Sequence, residues 1–161
     1  MKRASVATVL IILVIAAYAA YLIYLHWPVV IEGVVDHKSL VGVRNGFVRT
    51  LLLVAPHAVL VKDEEVASLL GNRSLDPYNF TVNGLLEAIK SRYDNVYGVV
   101  SIRTRYGDPA NGLEPGETLG YIIDVELFDH FRLGSNVKVA VTRASGIKIV
   151  WVVEVGEQHG E

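Results

Sequence analysis

Residues 5–25 carry no charge, no Gly and no Pro over 21 consecutive positions. Coiled at ~1.5 Å per residue, a run of this length reaches about 31 Å, the thickness of a bilayer's hydrocarbon core. A helix can cross lipid because it satisfies its own backbone, so this segment is expected to span a membrane. Lys2 and Arg3 precede it with no acid to offset them, whereas Glu32, Asp36 and Lys38 follow as a mixed set. Positive flanks stay on the cytoplasmic side, so the N-terminus is expected inside and the remainder outside the cell membrane. Tyr18, Tyr21, Tyr24 and Trp27 gather toward the far end. Tyr24 and Trp27 are expected at the outer membrane interface, where amphipathic rings are favoured, and Pro28 is expected to stop the helix. The expected organisation is an anchor over 1–27, an extracytoplasmic mostly-β domain over 28–156 and a flexible tail over 157–161.

Two other readings of the leader compete with a single-pass signal anchor. Ala17-Tyr18-Ala19 has the small-x-small form of a secretory cleavage site. Cleavage there would leave Ala-Tyr-Leu-Ile-Tyr-Leu exposed, and the apolar run exceeds an ordinary ~7–15-residue signal core. Lys2-Arg3-Ala4-Ser5 ahead of the apolar helix resembles the leader of archaeal pilins and related filament subunits, although the acid near the start of many mature pilins is missing. The anchor is preferred and a pilin-like filament subunit is the runner-up.

The 134 residues from Pro28 onward are enough for one domain with its own core. Removing Lys2 and Arg3 from 15 basic residues leaves 13 against 17 acids, a net charge of −4 for this part. A mildly acidic domain argues against nucleic acid as a partner. With no cysteine, disulfides, thiolate metal sites and Cys nucleophiles are excluded. One Met, one Gln and abundant Val hint at a thermophilic source. Asn72-Arg73-Ser74 and Asn79-Phe80-Thr81 are glycosylation sequons, which makes Asn72 and Asn79 candidate modification sites.

Beyond the anchor, the pattern predicts strands over 29–36, 47–54 and 58–61, with a turn at Asn45-Gly46. Asp63-Glu64-Glu65 opens a short helix through Leu70. Thr81 can cap a second helix whose Val82, Leu85, Leu86, Ile89 and Tyr93 form one apolar stripe. Further strands are expected over 96–106, 121–128, 137–143 and 147–155. In the last of these, Ile147, Ile149, Trp151, Val153 and Val155 are expected to face the core. Short links favour antiparallel pairing. The expected fold is therefore α+β and mainly antiparallel β: a transmembrane helix followed by a small β-barrel or sandwich with two inserted helices.

Catalytic and metal signals are sparse. His26, His37, His57 and His130 show no i, i+2 or i, i+4 pairing, and Asp36-His37 and Asp129-His130 are expected to point to opposite sides of a strand. No Gly-x-Ser-x-Gly, His-Glu-x-x-His or phosphate-binding Gly loop occurs. Asp124 and Glu126 are expected to share a solvent-facing strand surface. The loop over 107–120 carries Asp108, Asn111, Glu114 and Glu117 among Gly and Pro, a composition that turn chemistry explains without calcium. As a long loop without its own secondary structure it is the expected interaction loop. Tyr97, Arg103 and Arg105 fall on one face of the 96–106 strand and extend that candidate interaction surface. No cofactor and no catalytic residue is expected.

The stretch Leu-Phe-Asp-His-Phe-Arg-Leu-Gly-Ser-Asn-Val over 127–137 resembles the Phe-x-x-Gly-x-x-Val approach to the last strands of OB-type barrels. A single anchor before such a barrel is similar to the heme-carrying chaperone of cytochrome c maturation. That family attaches heme through a His just past its last strand, with a Tyr four residues on. His159 stands soon after Val155, but no Tyr follows it, and the resemblance covers under a tenth of the chain, so the heme site is not carried over. The expected role is a non-catalytic accessory or interaction domain of an envelope complex, its partners being the bilayer and a membrane or envelope protein. A small ligand or cofactor carrier with an OB-like barrel is a third possibility and predicts an apolar cavity.

Overall fold

A computed structural model describes residues 2–71, 75–144 and 147–156 of the chain. The apolar leader forms helix α1 (Lys2–His26). Val6–His26 has a mean hydropathy of 2.7 and is not buried against the rest of the protein, which touches it only at its end. The helix stops where expected. Trp27 is a bend, and strand β1 (Pro28–Arg44) begins at the proline.

Seven strands follow, in one antiparallel sheet: β1, β2 (Phe47–Ala55), β3 (Ala58–Val61), β4 (Asn95–Thr104), β5 (Thr118–Asp124), β6 (Asn136–Thr142) and β7 (Ile149–Val155). The sheet is not closed into a barrel. β1 runs far past the expected 29–36, because its 17 residues serve three partners. One edge pairs with β4 over Gly33–Val43, and the other pairs first with β6 and then with β2. The polar letters that suggested an early stop, Asp36-His37-Lys38-Ser39, lie inside the strand. One isolated parallel bridge, Ile122 with Lys148, brings β5 beside the start of β7.

Two helices are inserted after β3, as expected. α2 (Glu64–Leu70) is capped by Asp63, whose carboxylate accepts from the Glu65 and Val66 amides. α3 is only Leu86–Lys90, shorter than the stripe predicts. Gly84 sits at φ +79°, outside helical space, and delays the helix to the next turn. The stripe is nevertheless packed as expected: Val82, Leu85, Ile89 and Tyr93 are buried. Asp129 substitutes for a local cap by accepting from the Val82 and Asn83 amides at 2.9 and 3.0 Å.

The core lies between one face of the sheet and these helices, and it includes Leu40, Leu51, Val100, Ile102, Tyr121, Ile123 and Phe128. Gly33 permits the crossing of β1 and β4, since a Cβ there would collide with the Arg103 carbonyl. Two strand expectations are corrected. β5 ends at Asp124 and continues as a 3-10 helix, Val125–His130, rather than extending to 128. In β7 the register slips between Ala140 and Val141 and between Lys138 and Val139 on the partner strand. These bulges break the expected alternation. Ile149 is buried, whereas Ile147, Trp151, Val153 and Val155 are exposed.

Candidate functional site

The loop between β4 and β5 is organised around Asp108, which is fully buried. Its Oδ2 accepts from Tyr121 Oη at 2.5 Å and Asn111 Nδ2 at 2.6 Å, and its Oδ1 accepts from the Ala110 amide at 3.0 Å. A paired bridge between Asp108 and Leu113 closes the turn. Burial, then the Asp108 bond, push the Tyr121 hydroxyl well above its ordinary pKa. Asp108 therefore holds the loop to the core, and it does not belong to an exposed interaction surface. Asn111 is half-buried against it. Glu114 and Glu117 remain exposed, with Glu117 Oε2 accepting from the Glu114 amide at 2.8 Å. Among the described residues no group of three potential metal ligands occurs.

The strand-face expectation divides. Arg103 is exposed on β4, and Tyr97 is six residues away on the same outward face, about 20 Å along a strand. Arg105 lies past the end of β4, where its amide donates to the Glu32 carbonyl at 2.7 Å and its guanidinium reaches Asn136 at 3.4 Å. The three thus serve different places. Tyr97 lines a surface hollow of about 650 Å³ with Lys90, Asp124, Glu126 and Lys148. Asp124 and Glu126 do not share a strand surface: they pair separately with Lys148 at 3.1 Å and Lys90 at 2.6 Å. Arg105 lines a smaller hollow of about 330 Å³ with Glu32, Lys138 and Glu154. Both are lined by charge, unlike the apolar cavity that a carrier would need.

Asn79 is exposed, and its side-chain amide donates to Asp76 at 2.6 Å. Asn72 lies outside the described residues, as do the expected tail and His159. Tyr24 and Trp27 are exposed at the end of α1. The Arg143 guanidinium stacks 4.2 Å from the Tyr24 ring centroid and donates to the Tyr24 carbonyl at 3.3 Å. The Ala144 amide donates to the Leu25 carbonyl at 3.0 Å. The hairpin after β6 is thereby fastened to the end of the apolar helix.

Sequence reasoning missed two arrangements. The first joins Asp36, His37 and Ser101. Asp36 Oδ2 lies 3.2 Å from His37 Nδ1, and His37 Nε2 lies 2.8 Å from Ser101 Oγ. Expectation put Asp36 and His37 on opposite sides of the strand. The β1–β4 register skips Asp36, so the bulge turns both side chains together. The second is Lys38, buried in the core, with Nζ donating to the Phe128 and Phe80 carbonyls at 3.1 and 3.5 Å. Burial lowers its pKa to about 8, opposed by the Asp129 carboxylate and reinforced by Arg132. Apart from the adjacent Asp36-His37 pair no local motif marks either arrangement, since Ser101, Phe80 and Phe128 stand 42 to 90 residues away in sequence.

No protein-family model, curated protein or solved structure matches this chain.

Proposed function

We propose that this chain is a single-pass, membrane-anchored domain held outside the cell, acting as a non-catalytic accessory or interaction subunit of an envelope complex. The observation that carries the reading is the exposed apolar helix α1, which passes through one residue, Trp27, into the sheet. An uncovered helix of this length and hydropathy has its lowest free energy in lipid. The sheet then stands at the outer end, consistent with the basic residues at the other end. The exposed Glu114 and Glu117, together with Tyr97 and Arg103, offer polar and aromatic contact points to a protein partner.

The absence of cysteine makes the test clean. A Glu114→Cys variant, expressed in cells, is treated with a membrane-impermeant maleimide. Labelling of intact cells supports the reading. Labelling only after permeabilisation overturns the orientation and the envelope role with it.

A second reading, acyl hydrolysis, is favoured by the Asp36–His37–Ser101 chain, which has the connectivity of a base-activated serine. Ser101 is paired on both sides, with His37 and Gly120, so nearby backbone N–H groups are engaged in ladders rather than free to receive an oxyanion. Neither hollow described above is lined by Ser101. The anchored interaction domain is therefore the stronger reading.

A further inference from the structure

Three strands lie side by side next to the end of α1, and their outward faces change character with distance from it. The first rung is Pro28 with Thr142. The second is Val30, Ala140 and Trp151. The third is Glu32, Lys138 and Glu154, with Glu32 and Lys138 ion-paired at 2.6 Å. Val30 and Trp151 are 49% and 47% exposed on either side of the buried Ala140, so the second rung turns two apolar side chains to the surroundings. The bulged Val150, and Ile147 just before β7, are exposed too. The opposite faces of the same strands, Ile31 and Val139 among them, are buried in the core.

We infer that this strip of β1, β6 and β7 lies on the lipid headgroup layer, so that the domain leans onto the bilayer by its last hairpin. The inference rests on the anchored reading above. The Arg143–Tyr24 and Ala144–Leu25 bonds draw the hairpin side of the sheet down to the end of the membrane helix. Three residues of strand, about 10 Å, separate Trp27 from Val30, against a headgroup layer of about 5–8 Å. A lean toward the hairpin lowers the second rung into that layer and leaves the third, one strand repeat of about 7 Å further out, in water. The change from an apolar to a charged rung falls where such a boundary would. Trp is the side chain most suited to that depth. Arg143 and Lys148 flank the hairpin and match the charge of lipid phosphates, although Lys148 also contacts Asp124.

Trp27 and Trp151 are the chain's two tryptophans, which gives each position its own reporter. The full chain is reconstituted into phosphatidylcholine–phosphatidylglycerol vesicles, plain or brominated near the carbonyl end of the acyl chains. In Trp27→Phe, Trp151 is expected to lose emission in brominated vesicles and to resist quenching by aqueous iodide. Equal emission in both vesicles, with iodide quenching, would overturn the inference and leave the strip to a protein partner. Trp151→Phe reports on Trp27 alone. Quenching of Trp27 by bromine while Trp151 stays bright defeats the lean but keeps the anchor. If neither is quenched, the anchored reading fails as well.

Discussion

Lys38 and Phe128 are bonded twice over: the ammonium donates to the Phe128 carbonyl at 3.1 Å and lies 4.4 Å from the centroid of the same residue's ring. The amine also reaches Phe80, so one core lysine ties the inserted segment and the 3-10 helix to β1. These bonds only partly replace the water that a charged amine loses on burial.

The consequence is a specific pH dependence. Lys38 has a folded pKa of about 8 against its ordinary 10.5. Below pH 8 both folded and unfolded states carry the proton, and the cost of burying the charge is fully present. Between about pH 8 and 10.5 the folded state sheds it while the unfolded state retains it, so this contribution raises stability as pH increases, by at most about 3 kcal/mol. Urea unfolding of the full chain in detergent, followed by near-UV circular dichroism from pH 7 to 10.5, should show that rise. Lys38→Met should flatten it. An unchanged slope in the variant would refute the assignment.

Removing the Asp108 carboxylate should loosen the β4–β5 loop. Asp108→Ala leaves the buried Tyr121 hydroxyl without its acceptor and is expected to cost about 1–3 kcal/mol. Tyr121→Phe removes the donor but leaves the Asn111 and Ala110 bonds in place, and it should cost less. Comparing the two unfolding midpoints checks the order.

Gly33 and Gly84 should respond differently to alanine. At Gly33 the new methyl meets the Arg103 backbone, which can move only if β1 and β4 separate. A severe loss of folded protein is expected. At Gly84 nothing lies within 4 Å, but φ is +79°, so the cost is local strain of about 1–2 kcal/mol. Yield of folded protein and urea midpoint distinguish these outcomes.

The His37–Ser101 bond is expected to act as a cross-strand lock. Ser101→Ala should cost about 1 kcal/mol of stability. A fluorophosphonate probe should leave wild-type Ser101 unmodified. Mass-spectrometric detection of an adduct at Ser101, lost in His37→Asn, would instead promote the hydrolytic reading.

What could be read from the chain was local and periodic. The apolar run, the short helix opened by Asp63-Glu64-Glu65, the Asn45-Gly46 turn and the burial of Val82, Leu85 and Ile89 each depend on neighbours a few residues apart. The alternation in the last strand looked equally secure, yet Trp151 is exposed because bulges opposite Val139–Val141 shift its parity. A bulge is set by how two strands meet, not by either sequence alone. The same cause hid the Asp36–His37–Ser101 chain. Asp108 was recognised as a loop carboxylate, but its burial follows from Tyr121, which arrives from the next strand.

Only Trp27 separates α1 from a strand that pairs with β2, β4 and β6. Such a joint has no spacer in which to swivel. Any torque applied to the helix, by a partner gripping it or by the lipid itself, is delivered straight to the backbone of β1, and the sheet turns with it as one lever.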